Sequence, residues 1–133
     1  MIAGVADTHA ALWFLFGDAR LSLPARGFLE VAAASKGKIA VSTVSLVEIV
    51  YLIEKKRLFV TAYKALEEAL ANPLHIFEES HLTAGIVEAM WQVSRSEVPD
   101  MPDRIIADTG IYLGVPVISR DGRIRAANLT SIW

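Results

Sequence analysis

Four acidic residues stand where a carboxylate needs a reason: Asp7, Glu48, Asp103 and Asp121. Asp7 follows the apolar run Ile2 to Ala6, and Asp121 follows Val115 to Ser119 through Arg120. Asp103 comes directly after Pro102 at the start of a helical pattern. Each of these three also has a plain structural reading. Asp7 can be a helix N-cap, Asp103 an acid facing the positive end of a helix dipole, and Asp121 half of an Asp-Gly turn. Asp100 and Asp103 have the spacing of a capping pair as well. Glu48 is different, because it is the only charge between Val44 and Ile53. A buried carboxylate is costly unless it is paired, protonated or bound to metal. One shared pocket accounts for all four acids at once.

Carboxylates are hard oxygen ligands, and a cluster of them suits Mg2+ or Mn2+ better than zinc. The chain has no cysteine, and His9, His75 and His81 lack the spacing of a helical metal-ligand pair. Such ions lower the pKa of bound water and clamp phosphoryl oxygens, so the chemistry favoured is phosphodiester hydrolysis. Arg104, Arg120, Arg123 and Arg125 flank the acidic segments and are the candidates for phosphate contact, with Arg104 and Arg120 directly beside an acid. Lys55, Lys56 and Arg57 close a helix, where cations favour the negative dipole end. A net charge of -2 argues against strong sequence-independent binding to nucleic acid. Ser35-Lys36-Gly37-Lys38 lacks the first glycine and the hydroxyl residue of a phosphate loop.

These residues must be carried by elements short enough to repeat within 133 residues, about one domain's length. Apolar runs at Ile2 to Ala6, Ile39 to Val41, Leu74 to Phe77 and Val115 to Ser119 read as strands. Helical patterns lie at His9 to Phe16, Ala25 to Ser35, Val44 to Lys56, Ala62 to Ala71, Thr83 to Ser94 and Pro102 to Leu113, with Gly17, Gly37 and Gly114 at helix ends. Strands alternating with helices imply crossover connections, hence an α/β fold of three layers, α/β/α, around a mostly parallel sheet. Ligands in such folds bind beyond the carboxyl ends of the strands, where Asp7 and Asp121 fall.

Asp7-Thr8-His9-Ala10-Ala11-Leu12-Trp13, Ser42-Thr43-Val44-Ser45-Leu46-Val47-Glu48-Ile49, Met101-Pro102-Asp103-Arg104-Ile105-Ile106-Ala107 and Val117-Ile118-Ser119-Arg120-Asp121 resemble, in order, the signature segments of VapC-type toxins of the PIN-domain ribonuclease family. The resemblance runs from the first strand to Ser131-Ile132-Trp133. It implies a single PIN domain over residues 1–133, with Asp7, Glu48, Asp103 and Asp121 as metal-site and catalytic residues and Thr8 and Ser119 in support. It further implies metal-dependent cleavage of RNA, a homodimer and a cognate antitoxin that holds the enzyme inactive. Asp108 departs from it, standing where relatives carry a small residue. Five positions beyond Asp103 on a helix, it points well away and is expected outside the metal site. Pro99-Asp100-Met101-Pro102 is also rearranged relative to the family's run.

Two other functions compete. One is a degenerate PIN module that binds RNA or protein without cutting. The other is a phosphoacceptor signalling domain, which would want paired acids after the first strand and a lysine ending the last one. Hydrophobic residues make up 53% of the chain and charged ones 21%, so disorder is excluded. The longest apolar stretch, Ile39 to Ile53, is broken by Ser42, Thr43, Ser45 and Glu48, so no membrane span is expected. The N-terminus has no signal-peptide pattern, and the expected location is cytoplasmic. Ala10 to Phe16 has no polar residue on any face, so it belongs in the core or, with Leu46, Val50 and Ile53, under a partner.

Overall fold

A computed structural model describes residues 1–133. The strands are β1 (Ile2–Ala6), β2 (Lys38–Ser42), β3 (Phe77–Ser80), β4 (Val117–Ile118) and β5 (Ser131–Ile132). The helices are α1 (Thr8–Leu15), α2 (Leu23–Ala34), α3 (Thr43–Glu54), α4 (Val60–Ala71), α5 (Ala84–Ala89), α6 (Met101–Leu113) and α7 (Gly122–Ala126). All five strands form one sheet in the order β3-β2-β1-β4-β5, with every neighbouring pair parallel. Parallel neighbours cannot be joined by a hairpin, so each connection crosses over and lays helices on the sheet.

Side chains alternate across the sheet and divide the core into two layers. Val5, Ala40 and Val117 face Val93, Val98, Ile106 and Ile124 on one side. Ala6, Ile39, Val41 and Ile118 face Ala10, Leu29, Ile49 and Leu66 on the other. Leu29, Ile49 and Leu66 are fully buried, and each such side chain contributes about 1.5–3 kcal/mol by leaving water. The result is the three-layer α/β/α domain expected. The order is not the 2-1-3-4-5 of phosphoacceptor folds, which removes that alternative.

From β1 the chain moves outward through β2 to β3, then returns to place β4 on the other side of β1. A crevice therefore opens at the carboxyl ends of β1 and β4, the place where open α/β sheets hold ligands. No helix is long and apolar enough to cross a membrane.

Several elements depart from expectation. The third strand lies at Phe77–Ser80 rather than Leu74 to Phe77. Asn72 to His75 instead form a turn, in which Asn72 Oδ1 accepts the Leu74 N–H and Lys38 Nζ donates to the Pro73 carbonyl. Thr83 to Ser94 is not one helix, because α5 passes at Met90–Gln92 into a 3-10 turn. The turn past α2 takes its positive φ at Lys36 rather than Gly37, whereas Gly17 and Gly114 do take it. Most of Ala10 to Phe16 is core: Ala10, Ala11, Leu12 and Trp13 are buried and Phe16 alone is exposed. Leu46 and Ile53 pack on the same core, which leaves Val47, Val50 and Tyr51 as the exposed apolar face of α3.

Asp108 is fully buried on α6, and neither of its carboxylate oxygens has a hydrogen-bond partner. Burial pushes its pKa up to about 6, against the pull of Arg104 one turn earlier. Between the unfolded value near 4 and that raised value, the folded chain holds a proton the unfolded chain has lost, so stability falls as pH rises through this window. Asp108→Ala is expected to raise the melting temperature at pH 7.5 by about 3–8 °C, since an orphaned buried polar group costs about 1–3 kcal/mol. The gain at pH 5 should be smaller. Thermal melts at the two pH values check this, and a loss of stability at both would show that the carboxylate is satisfied.

Candidate functional site

Asp7 ends the turn out of β1 and caps α1, its Oδ1 accepting the Ala10 N–H at 2.8 Å. Asp121 does the same after β4: its Oδ1 accepts from the Arg123 and Ile124 N–H groups at 2.9 and 3.0 Å and starts α7. Asp103 lies in the first turn of α6, whose N-cap is Asp100, with Asp100 Oδ2 accepting the Asp103 N–H at 3.2 Å. Glu48 lies on α3, where Thr8 Oγ1 donates to its Oε1 at 2.6 Å. Thr8 has one proton to give, so the buried Ser45 hydroxyl 2.9 Å away supplies its own to Thr8. Ser119 Oγ accepts the Asp121 N–H at 3.0 Å, leaving its proton to face Asp7.

These residues meet in one cleft of about 310 Å3, lined by Asp7, His9, Trp13, Glu48, Asp100, Asp103, Arg120 and Asp121. All four singled-out acids are there, and Thr8 and Ser119 stand behind Glu48 and Asp7 respectively. Arg120 is the arginine the cleft exposes. Arg104 is turned away, its Nε donating to the Val93 carbonyl at 3.0 Å and one terminal nitrogen to that of Met90 at 2.9 Å. Its guanidinium closes the 3-10 turn after α5, so this residue does not face the cleft as expected from its place in the sequence. Asp108 lies outside the cleft. Asp100, Trp13 and His9 line it without having been singled out as ligands; Asp100 shares the turn of Asp103, while α1 carries His9 and Trp13 four residues apart on one face.

The electrostatics follow from crowding. Burial, and then Asp121, Asp100, Glu48 and Asp7, push the Asp103 pKa up to about 8. Burial also raises that of Asp7, opposed by the Ser119 hydroxyl, the Ala10 N–H and His9. No three of these acids stand close enough together to enclose an ion. The donor set is nevertheless entirely oxygen, open to water and strongly negative. That fits Mg2+ or Mn2+, which bind through one or two carboxylates and keep several waters.

The sequence model of the PIN domain family matches residues 5–128, which include all four acids. The chain belongs to that family. Among curated protein sequences none is significantly similar to it. Among solved structures it resembles VapBC2 from Rickettsia felis bound to a DNA fragment from their promoter, with a TM-score of 0.70 at 17% identity over 98% of this chain and 97% of that one. It also resembles FitAB bound to the IR36 DNA fragment, at 0.59 and 14% identity over 96% and 92%. FitAcB from Neisseria gonorrhoeae follows at 0.54 and 19% identity over 96% and 95%. At such identities the likeness is one of fold.

A folded-state pKa near 8 for Asp103 gives the site a signature in stability. From about pH 4 to 8 the folded chain retains a proton that the unfolded chain has lost, so without divalent metal the melting temperature should fall as pH rises, levelling above about 8. Asp103→Asn should flatten the slope between pH 6 and 8. It should also raise the melting temperature at pH 8 by about 3–6 °C, on the order of 1 kcal/mol after solvent screening of a half-exposed group. Scanning calorimetry of both proteins from pH 5 to 9 measures it, and identical slopes would show that neither burial nor the neighbouring acids raise the Asp103 pKa.

Proposed function

We propose that this chain is, as a single PIN domain, the toxin half of a toxin-antitoxin pair and a divalent-metal-dependent endoribonuclease. The observation that carries this reading is the convergence of Asp7, Glu48, Asp103 and Asp121 on one open cleft with Arg120 at its rim, in a chain of the PIN family. Asp7, Glu48, Asp103 and Asp121 would hold Mg2+ or Mn2+. Bound there, the ion supplies activated water and neutralises charge on the phosphoryl oxygens.

The chain's own residues do the rest. Asp7 and Asp121 each commit one oxygen to a helix start, which fixes the direction of the other. Thr8 orients Glu48, and Ser119 is shared between Asp7 and the Asp121 main chain. Arg120 presents the one cation in the cleft to a phosphate of the RNA backbone, and a single such contact agrees with a chain of net charge -2.

For regulation, the similar chains come from structures described as VapBC2, FitAB and FitAcB, two of them bound to DNA fragments. By analogy this chain would be held by a cognate antitoxin and would pair with a second copy. Val47, Val50 and Tyr51 on α3, with Phe59 and Val60 at the start of α4, leave an exposed apolar surface for such contacts. The second reading is a PIN module that binds without cutting.

Cleavage of a structured RNA by the purified chain in Mn2+ decides between the two. Asp7→Asn or Asp103→Asn should reduce cleavage by roughly a hundredfold or more, and Thr8→Val by about 10–100-fold, the usual cost of losing the partner that orients a ligand. The two aspartate variants should melt at or above the wild-type temperature, whereas Thr8→Val should melt below it, because it leaves the buried Ser45 hydroxyl and Glu48 without their partner. Cleavage unaffected by both aspartate changes removes the assignment, and RNA binding without cleavage establishes the second reading.

A further inference from the structure

Arg120 lines the acidic cleft, yet it forms no ion pair there. The chain's salt bridges are Arg20 with Asp18 and His81 with Glu79. A long guanidinium beside several carboxylates in a partly desolvated cleft is strongly attracted to them, and Arg is the side chain best shaped to grip a carboxylate with two parallel bonds. Something else must hold Arg120 where it is.

The indole of Trp13 does so. Arg120 Cζ lies over the ring, 4.6 Å from its centre, well within the range of a cation-π contact. The ring is fixed in turn. Trp13 is only 6% exposed, and His9 and Trp133 pack on it at 5.6 and 5.9 Å between ring centres. A second guanidinium, that of Arg20, lies 5.0 Å from the same centre. Arg20 is held by Asp18, with Nε to Oδ1 at 3.1 Å and a terminal nitrogen to Oδ2 at 2.8 Å. Of the two cations on Trp13, Arg20 is thus neutralised and Arg120 is free.

We propose that Trp13 is a positioning residue: its indole keeps the Arg120 guanidinium at the rim of the cleft, off the carboxylates, where it meets the phosphate of an RNA nucleotide flanking the one that is cut. The inference rests on the reading of the chain as an RNA-cleaving PIN domain. Without the indole, Arg120 swings down onto Asp7 or Asp121. Two things are then lost together, the phosphate contact and the negative charge of the acids that would hold metal. Trp13 therefore acts on RNA through Arg120, without needing to touch the reacting phosphate.

The test is RNA binding rather than turnover. A fluorescent single-stranded RNA carrying 2′-O-methyl groups, which resists cleavage, is titrated by anisotropy in Mg2+ against the full chain. Trp13→Leu should weaken binding by about 3–30-fold, the span of a cation-π contact from exposed to desolvated. Trp13→Phe, which keeps an aromatic face, should restore most of it. Arg120→Ala should weaken binding at least as much, and the double variant no further, because both changes remove one coupled contact. Since Trp13 also belongs to the core, Arg120→Lys provides a test that leaves the core untouched. Lysine keeps the charge but stacks poorly, so it should bind RNA nearly as weakly as the alanine variant. Additive losses, or full affinity with lysine, would overturn the role of Trp13 and leave the RNA reading standing. A wild-type chain that binds no RNA overturns both.

Discussion

Asp7 gives one carboxylate oxygen to the Ala10 N–H, and Asp121 gives one to the Arg123 and Ile124 N–H groups. The rest of the site depends on this partition. A carboxylate tied to a helix start cannot swing away from its neighbours, so both acids stay on the wall of the crevice. The strand order β3-β2-β1-β4-β5 sets β1 and β4 side by side, and their carboxyl ends bring the two acids to one place. α3 and α6 then supply Glu48 and Asp103 from the sides. The repulsion that results is visible at Asp103, driven up to about 8 by burial and by the other acids. The fold gives up stability to hold this charge, and a divalent cation is what the charge would attract.

Much of this was legible in the sequence, for reasons that can be stated residue by residue. Asp7 and Asp121 follow apolar runs, so any parallel sheet puts them at strand ends. Glu48 interrupts a run with no other charge. For Asp7 the two readings, helix cap and pocket acid, were not alternatives, because a carboxylate has two oxygens and the structure uses them differently. Other features left no readable trace. α7 has five residues and opens on Gly122, too few for a helical period to show. β4 and β5 are two residues each, β4 being cut short because Val115 closes α6 by donating to the Gly110 carbonyl and Pro116 has no N–H to give. Arg104 and Arg120 both sit beside an acid in sequence, but adjacency does not tell which way a side chain turns. The Met90 and Val93 carbonyls claimed Arg104, and Trp13 claimed Arg120.

Asp103 and Asp108 are two raised acids in opposite settings. Both have pKa values raised by burial. Asp103 opens onto a cleft where water, a cation or a phosphate can reach it, and its proton can leave when one arrives. Asp108 is fully buried on α6 with both oxygens unpartnered, so its proton answers only to pH and to the stability of the fold. The apolar surplus divides in a similar way. Most of α1 is consumed by the core, while Val47, Val50 and Tyr51 remain outside on the helix that carries Glu48, so any partner covering that face lies next to the cleft.

The proposed divalent metal site at the four carboxylates is tested most directly by calorimetric titration of Mn2+ at pH 7 in buffers of different ionisation enthalpy, which counts the protons released as metal binds. With Asp103 near 8, binding should release close to one proton from the wild-type chain, and Asp103→Asn should bind more weakly and release far less. Saturable binding with no proton release, or no binding up to millimolar Mn2+, would contradict the account.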